Sequence, residues 1–396
     1  MSLGENKAKI NRAEIIVRTA LFFVLIYFFL IAVKMFGDSA QLFTQQYQET
    51  WDSLVSNLRN PFVGLCLGIF VTALMQSSSA TTSLAVAMVA TGTIEFSNAV
   101  TIVMGANIGT SLTCMLVALG HMGQKKTFAK AFSAALIQDN FNLLTVGICF
   151  TLEITCGYLT KLSTWIVSRF SFLFETVAAN AESTSSSWFV NPIPIAVEAP
   201  VSLLKHFLMK TCGMFPTSAA ILMGIAALFL LFFALIQITK NMQILMADKI
   251  EVWLNQILSK NGYLGLLVGL AVTMIVQSSS ITTSLMVPLV AAGILNVRTI
   301  FPIVLGANIG TTITAILASL AYTGTAVGMS GLQLALVHFL FNVTGVLLFY
   351  PVPFLRFPVF MTEYLTKILT QSRWYVFSWI ALIFFLIPGI GLWLFR

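Results

Sequence analysis

Gln-Ser-Ser-Ser-Ala-Thr-Thr-Ser at residues 76–83 returns as Gln-Ser-Ser-Ser-Ile-Thr-Thr-Ser at residues 277–284. Each copy lies inside an apolar stretch and is followed by Gly-Ala-Asn-Ile-Gly-Thr, at Gly105–Thr110 and Gly306–Thr311. Gly64–Thr113 aligns on Gly265–Thr314 without a gap, and more than half of the positions are identical. The identities gather on hydroxyl, amide and glycine residues. Hydrocarbon solvates such groups badly, so a doubled polar cluster at membrane depth marks a functional centre. Paired interruptions in two corresponding parts of a chain point to the central site of a secondary transporter.

Composition sets the environment. Of the 396 residues 58% are hydrophobic and 9% charged, and the mean hydropathy is +0.92. So few charges cannot cover a soluble surface, and a polytopic membrane protein is expected. The net charge of +7 is thinly spread and fits membrane orientation better than nucleic-acid binding. Lys7, Lys9, Arg12 and Arg18 precede no short apolar region with a cleavage site, so no signal peptide is expected. The five Cys show no metal spacing, and Cys156 with Cys212 reads better as two inert thiols than as a bonded pair.

Hydropathy along the chain gives seven spans, at about Thr19–Phe36, Ala99–Leu119, Ala131–Phe150, Thr217–Ile238, Ile300–Tyr322, Leu332–Tyr350 and Trp374–Phe395. Phe62–Thr91 and Tyr263–Ala292 are apolar but interrupted at the Ser clusters, and each reads as two half-helices forming a re-entrant hairpin. Amphipathic stretches are expected at Gly37–Asn60, Thr151–Phe174, Lys240–Asn261 and Pro351–Arg373, and a polar loop at Glu175–Pro200. The repeat extends further, since Phe141-Asn142 matches Phe341-Asn342 and Tyr158–Lys161 matches Tyr364–Lys367. Each unit then holds three crossings and one hairpin. An odd number of crossings makes the second unit enter from the opposite face.

The expected fold is therefore an all-α polytopic membrane protein of two inverted-topology repeats, each with a re-entrant helical hairpin carrying Gln-Ser-Ser-Ser. Its parts are a cytoplasmic segment at 1–18, a first unit at 19–175 with its hairpin at 62–91, and an outer loop at 176–216. A second unit follows at 217–373 with its hairpin at 263–292, then a final helix at 374–396. Orientation follows from charge. The N-terminus, Lys125–Lys130, Lys240–Lys260 and Arg356–Arg373 share one side, which the positive-inside rule makes cytoplasmic. Gly37–Asn60 and the loop bearing Glu175, Glu182 and Glu198 fall on the other.

The clusters carry groups that can hold ions. A half-helix that begins at mid-membrane presents free amides and a positive dipole end. Ser78, Ser79, Ser279 and Ser280 can donate to an anion and turn lone pairs to a cation. No Arg or Lys lies inside either hairpin, which favours a site that releases its anion. Small residues also serve close helix packing, but packing alone does not account for two copies that both carry Gln. Asn107 and Asn308 stand open between ion binding and helix–helix bonding, while His121 and His338 read as hydrogen-bonded helix residues. Asp139 is the only acid well inside a span and has no acidic counterpart in the second unit. A group so placed calls for a cation, or serves as a structural carboxylate hydrogen-bonded to neighbouring helices.

The paired Gln-Ser-Ser-Ser hairpins, the Gly-Ala-Asn-Ile-Gly-Thr strings and His338-Phe-Leu-Phe-Asn-Val-Thr-Gly345 leading into Tyr350-Pro-Val-Pro353 resemble the type II sodium-dependent phosphate cotransporters. The resemblance covers roughly Phe62–Leu162 and Tyr263–Tyr375. It implies a sodium-coupled phosphate symporter, with no cofactor, whose ligands are inorganic phosphate and Na⁺. Phosphate would be held by Gln76, Ser77, Ser78, Ser79, Gln277, Ser278, Ser279 and Ser280. Na⁺ would be held among Gln76, Ser79, Gln277, Ser278, Ser279, Thr311 and Thr314, with Asn107, Thr110 and Asn308 as further candidates. Asp139 and Asn142 match an additional Na⁺ site of electrogenic members. Short outer loop and tails, with Asn342-Val-Thr344 as the only glycosylation-type triplet and that inside a span, suggest a bacterial member in the inner membrane. An anion channel and a symporter of another small oxyanion are the alternatives. A Ser-nucleophile enzyme finds no support, because no Gly-x-Ser-x-Gly or His/Asp arrangement adjoins either cluster.

Overall fold

The computed structural model describes residues 12–169, 192–257, 262–322 and 328–395. Residues 1–11, with Lys7 and Lys9, and 170–191, with Glu175 and Glu182, lie outside that set, as do 258–261 and 323–327. The described residues are helices and their connections, with no strand among them. Seven helices are long and apolar enough to cross a membrane; each overlaps one of the seven expected spans, and several extend well beyond it.

The chain opens with α1 (Arg12–Gln46), α2 (Gln48–Leu58), α3 (Pro61–Met75), α4 (Ser78–Ala90), α5 (Phe96–Leu119) and α6 (Lys125–Cys156), then α7 (158–169). It continues through α8 (Pro192–His206), α9 (Pro216–Ile257), α10 (Gly262–Val276), α11 (Ser279–Ser284), α12 (Met286–Ala291), α13 (Val297–Ser319) and α14 (Gly328–Phe349). The last are α15 (Phe357–Leu369), α16 (Arg373–Ala381) and α17 (Ile387–Leu394), the final two joined by a π-helical turn. Both interrupted apolar stretches are thus helix pairs, α3/α4 and α10 with α11/α12. The second is broken once more, at Leu285. Pro288 has no amide to return to the Ser284 carbonyl, whereas its aligned residue Ala87 lets α4 run on.

Several expected boundaries differ: Gly37–Gln46 continues α1 and Thr151–Cys156 continues α6, rather than opening the expected amphipathic stretches. Residues 192–206 belong to a helix rather than to a loop, and Lys240–Ile257 continues α9 rather than forming a separate stretch. Pro192 and Pro194 fall in the first turn of α8, where no intrahelical donor is lost. Val197 and Val201 are buried, Glu198 bonds Lys34 at 2.8 Å, and the Ala196 carbonyl accepts from Tyr27 Oη at 3.0 Å, so packing on α1 outweighs the proline content. Nothing between Thr217 and Ile257 is Gly or Pro except Gly224, so nothing stops α9. Cys156 and Cys212 are free and exposed.

The two units pack alike. A Cβ added to Gly68 would overlap the Ile102 carbonyl, and one on Gly269 the Ile303 carbonyl. Gly105 meets the Leu65 carbonyl as Gly306 meets that of Leu266. The glycines of Gly-Ala-Asn-Ile-Gly-Thr therefore let α5 lie against α3, and α13 against α10, with backbones nearly in contact.

Candidate functional site

Each Gln-Ser-Ser-Ser begins by stopping a helix. Gln76 (φ 51°) and Gln277 (φ 59°) are the only non-glycine residues with positive φ among those described. A left-handed residue without glycine costs on the order of 1 kcal/mol, and the chain keeps it at both aligned positions. The next residue is extended, with φ −147° at Ser77 and −151° at Ser278, and a new helix starts at Ser78 or Ser279. Hydroxyl braces close both breaks: Thr72 donates to Thr81 at 2.9 Å, and Thr273 to Thr282 at 2.8 Å. Ser77 Oγ caps α4 by accepting from the Ala80 amide at 3.2 Å. The amides of Ser78 and Ser79 have no preceding helical carbonyl to bond.

The two breaks meet at one cavity of about 370 Å³. It is lined by all eight residues expected to hold the anion, 76–79 and 277–280, together with Thr113 and a wall of α9 from Phe232 to Gln243. Ser79 Oγ donates to the Gln277 carbonyl at 3.5 Å, a contact between the two motifs.

The aligned residues are not in the same condition. Gln277 is 6% exposed; its Oε1 accepts from Thr314 Oγ1 at 2.8 Å and its Nε2 donates to the Met274 carbonyl at 2.5 Å. Gln76 is exposed, and Thr113 Oγ1, the counterpart of Thr314, is buried with no hydrogen-bond partner. One half has its glutamine folded in; the other has it out.

Behind the cavity runs a buried amide network. Asn142 Nδ2 donates to the Asn107 carbonyl (2.6 Å), and Asn308 Nδ2 to Asn142 Oδ1 (2.8 Å). Gln138 Nε2 donates to Asn308 Oδ1 at 3.0 Å, and the aligned His338 lies 3.4 Å from Asn107 Oδ1 through Nε2. Asn342 Nδ2 also donates to Asn107 Oδ1, at 3.3 Å. Residues of one unit thus bond the asparagine of the other, which stitches α5, α6, α13 and α14 together. Asn107, Asn142 and Asn308 lie in this network and not on the cavity wall. Thr110 and Thr311 bond the carbonyls of Ala106 (2.9 Å) and Ala307 (3.0 Å) in their own helices. Asp139 is fully buried and apart from the cavity. Its Oδ2 accepts from Trp379 Nε1 at 3.2 Å, and its Oδ1 has no hydrogen-bond partner.

Sequence reasoning missed Thr113, Lys240, Gln243 and Gln138. Thr113 was available as the aligned partner of Thr314. Lys240 and Gln243 carried no signal, since only the tertiary structure sets α9 beside the breaks. Among the described residues no group of three His, Cys, Asp or Glu is placed to hold a metal ion.

Comparison with known proteins matches residues 28–178 and 230–350 to the family described as Na+/Pi-cotransporter. The chain is 32% identical to human sodium-dependent phosphate transport protein 2B over 92% of its length and 63% of that protein's. It is 30% identical to sodium-dependent phosphate transport protein 2A of Ovis aries, over 96% of its length and 68% of the relative's. The rabbit (Oryctolagus cuniculus) 2A protein is 33% identical over 84% of this chain and 60% of its own. The chain thus spans about two thirds or less of the length of these relatives. No solved structure matches it. With the motifs, the match over both units and the relatives in agreement, the chain belongs to the Na+/Pi-cotransporter family, the type II sodium-dependent phosphate cotransporters.

Proposed function

We propose that the protein is a sodium-coupled symporter of inorganic phosphate that works by alternating access around the cavity between the two Gln-Ser-Ser-Ser breaks. The observation that carries the reading is that motifs two hundred residues apart in sequence line one cavity. Phosphate there takes the free amides of Ser78 and Ser79 and the serine hydroxyls, donors suited to an oxyanion and individually weak enough to let it leave. Na⁺ takes oxygens. Gln277 Oε1 and Thr314 Oγ1, 2.8 Å apart, become two ligands for one ion once the threonine hydroxyl turns its proton away. The bound cation in turn offsets the charge of the anion in a setting of low dielectric.

In this reading α3/α4 and α10 with α11/α12 are re-entrant hairpins dipping in from opposite faces, and the two units are inverted copies. The wall of α9 runs from Phe232 towards the side that charge bias makes cytoplasmic, so the cavity is inward-facing. Opening to the other face then exchanges the conditions of the two units, Gln76 folding in on Thr113 as Gln277 is released.

The test is radioactive phosphate uptake into proteoliposomes with Na⁺ replaced by K⁺ or choline. Accumulation against a gradient in Na⁺ alone is expected. Ser78→Ala and Ser279→Ala each lose a charge-assisted bond of about 1.5–3 kcal/mol, one to two decades in phosphate affinity. Uptake indifferent to the cation, or both variants at full affinity, would count against the shared site.

A further inference from the structure

We infer that Lys240 is the group that gathers phosphate at the mouth of the cavity on the side towards which α9 runs, and that it sets affinity on that face alone. The inference rests on the phosphate-transport reading above and adds a residue to it. Among the described residues lining the cavity Lys240 is the only one with a charge. The other polar groups on the wall are neutral hydroxyls and amides.

Its placement is set by helical periodicity. Phe232, Leu235, Ile236, Thr239, Lys240 and Gln243 recur every three to four residues and form one face of α9 turned to the cavity. Eleven residues of rise carry that face about 16 Å along the axis, from an apolar end at Phe232 to a polar end at Lys240 and Gln243. Lys240 is exposed, and none of the salt bridges among the described residues involves it. Its partner is therefore open to be a diffusing anion.

The chemistry fits a mouth better than a binding centre. An ammonium on a flexible four-carbon stem is a hydrated point charge that raises the local concentration of anions without fixing them bidentately, as a guanidinium would. Entry through a mouth of matching sign is faster at low salt and falls as salt rises. An alternating-access protein shows this mouth to only one compartment at a time, which makes the effect one-sided.

The experiment is Na⁺-dependent flux of radioactive phosphate in proteoliposomes sorted by orientation, read from each face at low and at physiological ionic strength. Wild type, Lys240→Gln and Lys240→Arg are compared at equal amounts of inserted protein. At the α9-end face Lys240→Gln is expected to raise half-saturating phosphate about three- to tenfold and to flatten its salt dependence. Lys240→Arg keeps both, and the opposite face is unchanged in either variant. An unchanged half-saturation and salt dependence at that face, or an equal shift on both faces, overturns the assignment of Lys240. A wild type without Na⁺-dependent phosphate flux overturns instead the transport reading on which it rests.

Discussion

At the scale of residues, the site is defined by two glutamines that hold an unfavourable backbone conformation and two threonines that should be equivalent and are not. Thr314 satisfies Gln277, while Thr113 keeps a buried hydroxyl with no partner. Replacing Thr314 by Val strands the Gln277 amide oxygen and should destabilise the Na⁺-free protein in detergent by about 1–3 kcal/mol. Thr113→Val removes an orphan group and should leave the melting temperature unchanged or raised. Thermal unfolding of both variants checks this, and equal losses would mean that the two threonines share one environment. Both were legible as aligned identities, but the sequence contains nothing that separates them. The difference lies in the three-dimensional setting of each threonine, which the repeated string does not encode.

At the scale of elements, the expected breaks, the seven spans and the amphipathic α15 follow from hydropathy and from residues that cannot continue a helix. What local pattern did not carry was α8, whose prolines read as a loop until α1 supplied a buried face for it. The Gly-Ala-Asn-Ile-Gly-Thr strings were legible as important but not as divided in their work. Their glycines serve close packing, and their asparagines join the network between units. Gly105→Ala and Gly306→Ala each drive a methyl into a carbonyl of the facing helix, Leu65 or Leu266, with rigid backbone on both sides. Overpacking of that kind costs about 1–3 kcal/mol and forces the helices apart. Both variants should give less folded protein in size-exclusion profiles from detergent. Gly92→Ala, where a Cβ meets nothing within 4 Å, should show only the smaller strain of its φ of 70°. A Gly105→Ala protein as abundant as wild type would show that the helices can separate without cost.

At the scale of the whole molecule, inversion of the two units is open to a direct labelling test. Glu95 and Asn296 are aligned, exposed and just ahead of α5 and α13. Cys at these two positions, in a background without the native thiols, should react with an impermeant reagent from opposite sides of the membrane. Reaction from one side would make the repeat parallel and the odd count of crossings wrong.

Two features with no counterpart in the repeat, the acid Asp139, aligned on Phe339, and the helix α16, touch through Trp379. In the proposed symport cycle a symmetric pair of units would hold phosphate and its cations alike in both facings. On that reading an added carboxylate, held by an added helix, would break the balance by favouring one further cation. Its Oδ1 is buried and without a partner, the condition in which a carboxyl group gains most from a metal ion. Carrying one more positive charge inward draws on the membrane potential, worth about 2.3 kcal/mol per charge per 100 mV. Phosphate added in Na⁺ should therefore evoke an inward current. Asp139→Gly should abolish or strongly reduce it while part of the Na⁺-dependent uptake persists. Trp379→Phe, which removes only the indole donor, should keep the charge carried per phosphate and alter Na⁺ affinity. Simultaneous current and tracer measurement gives that ratio for each protein. Wild-type uptake without net charge would make the transport electroneutral, and an Asp139→Gly protein with the wild-type ratio would leave Asp139 as a structural partner of Trp379.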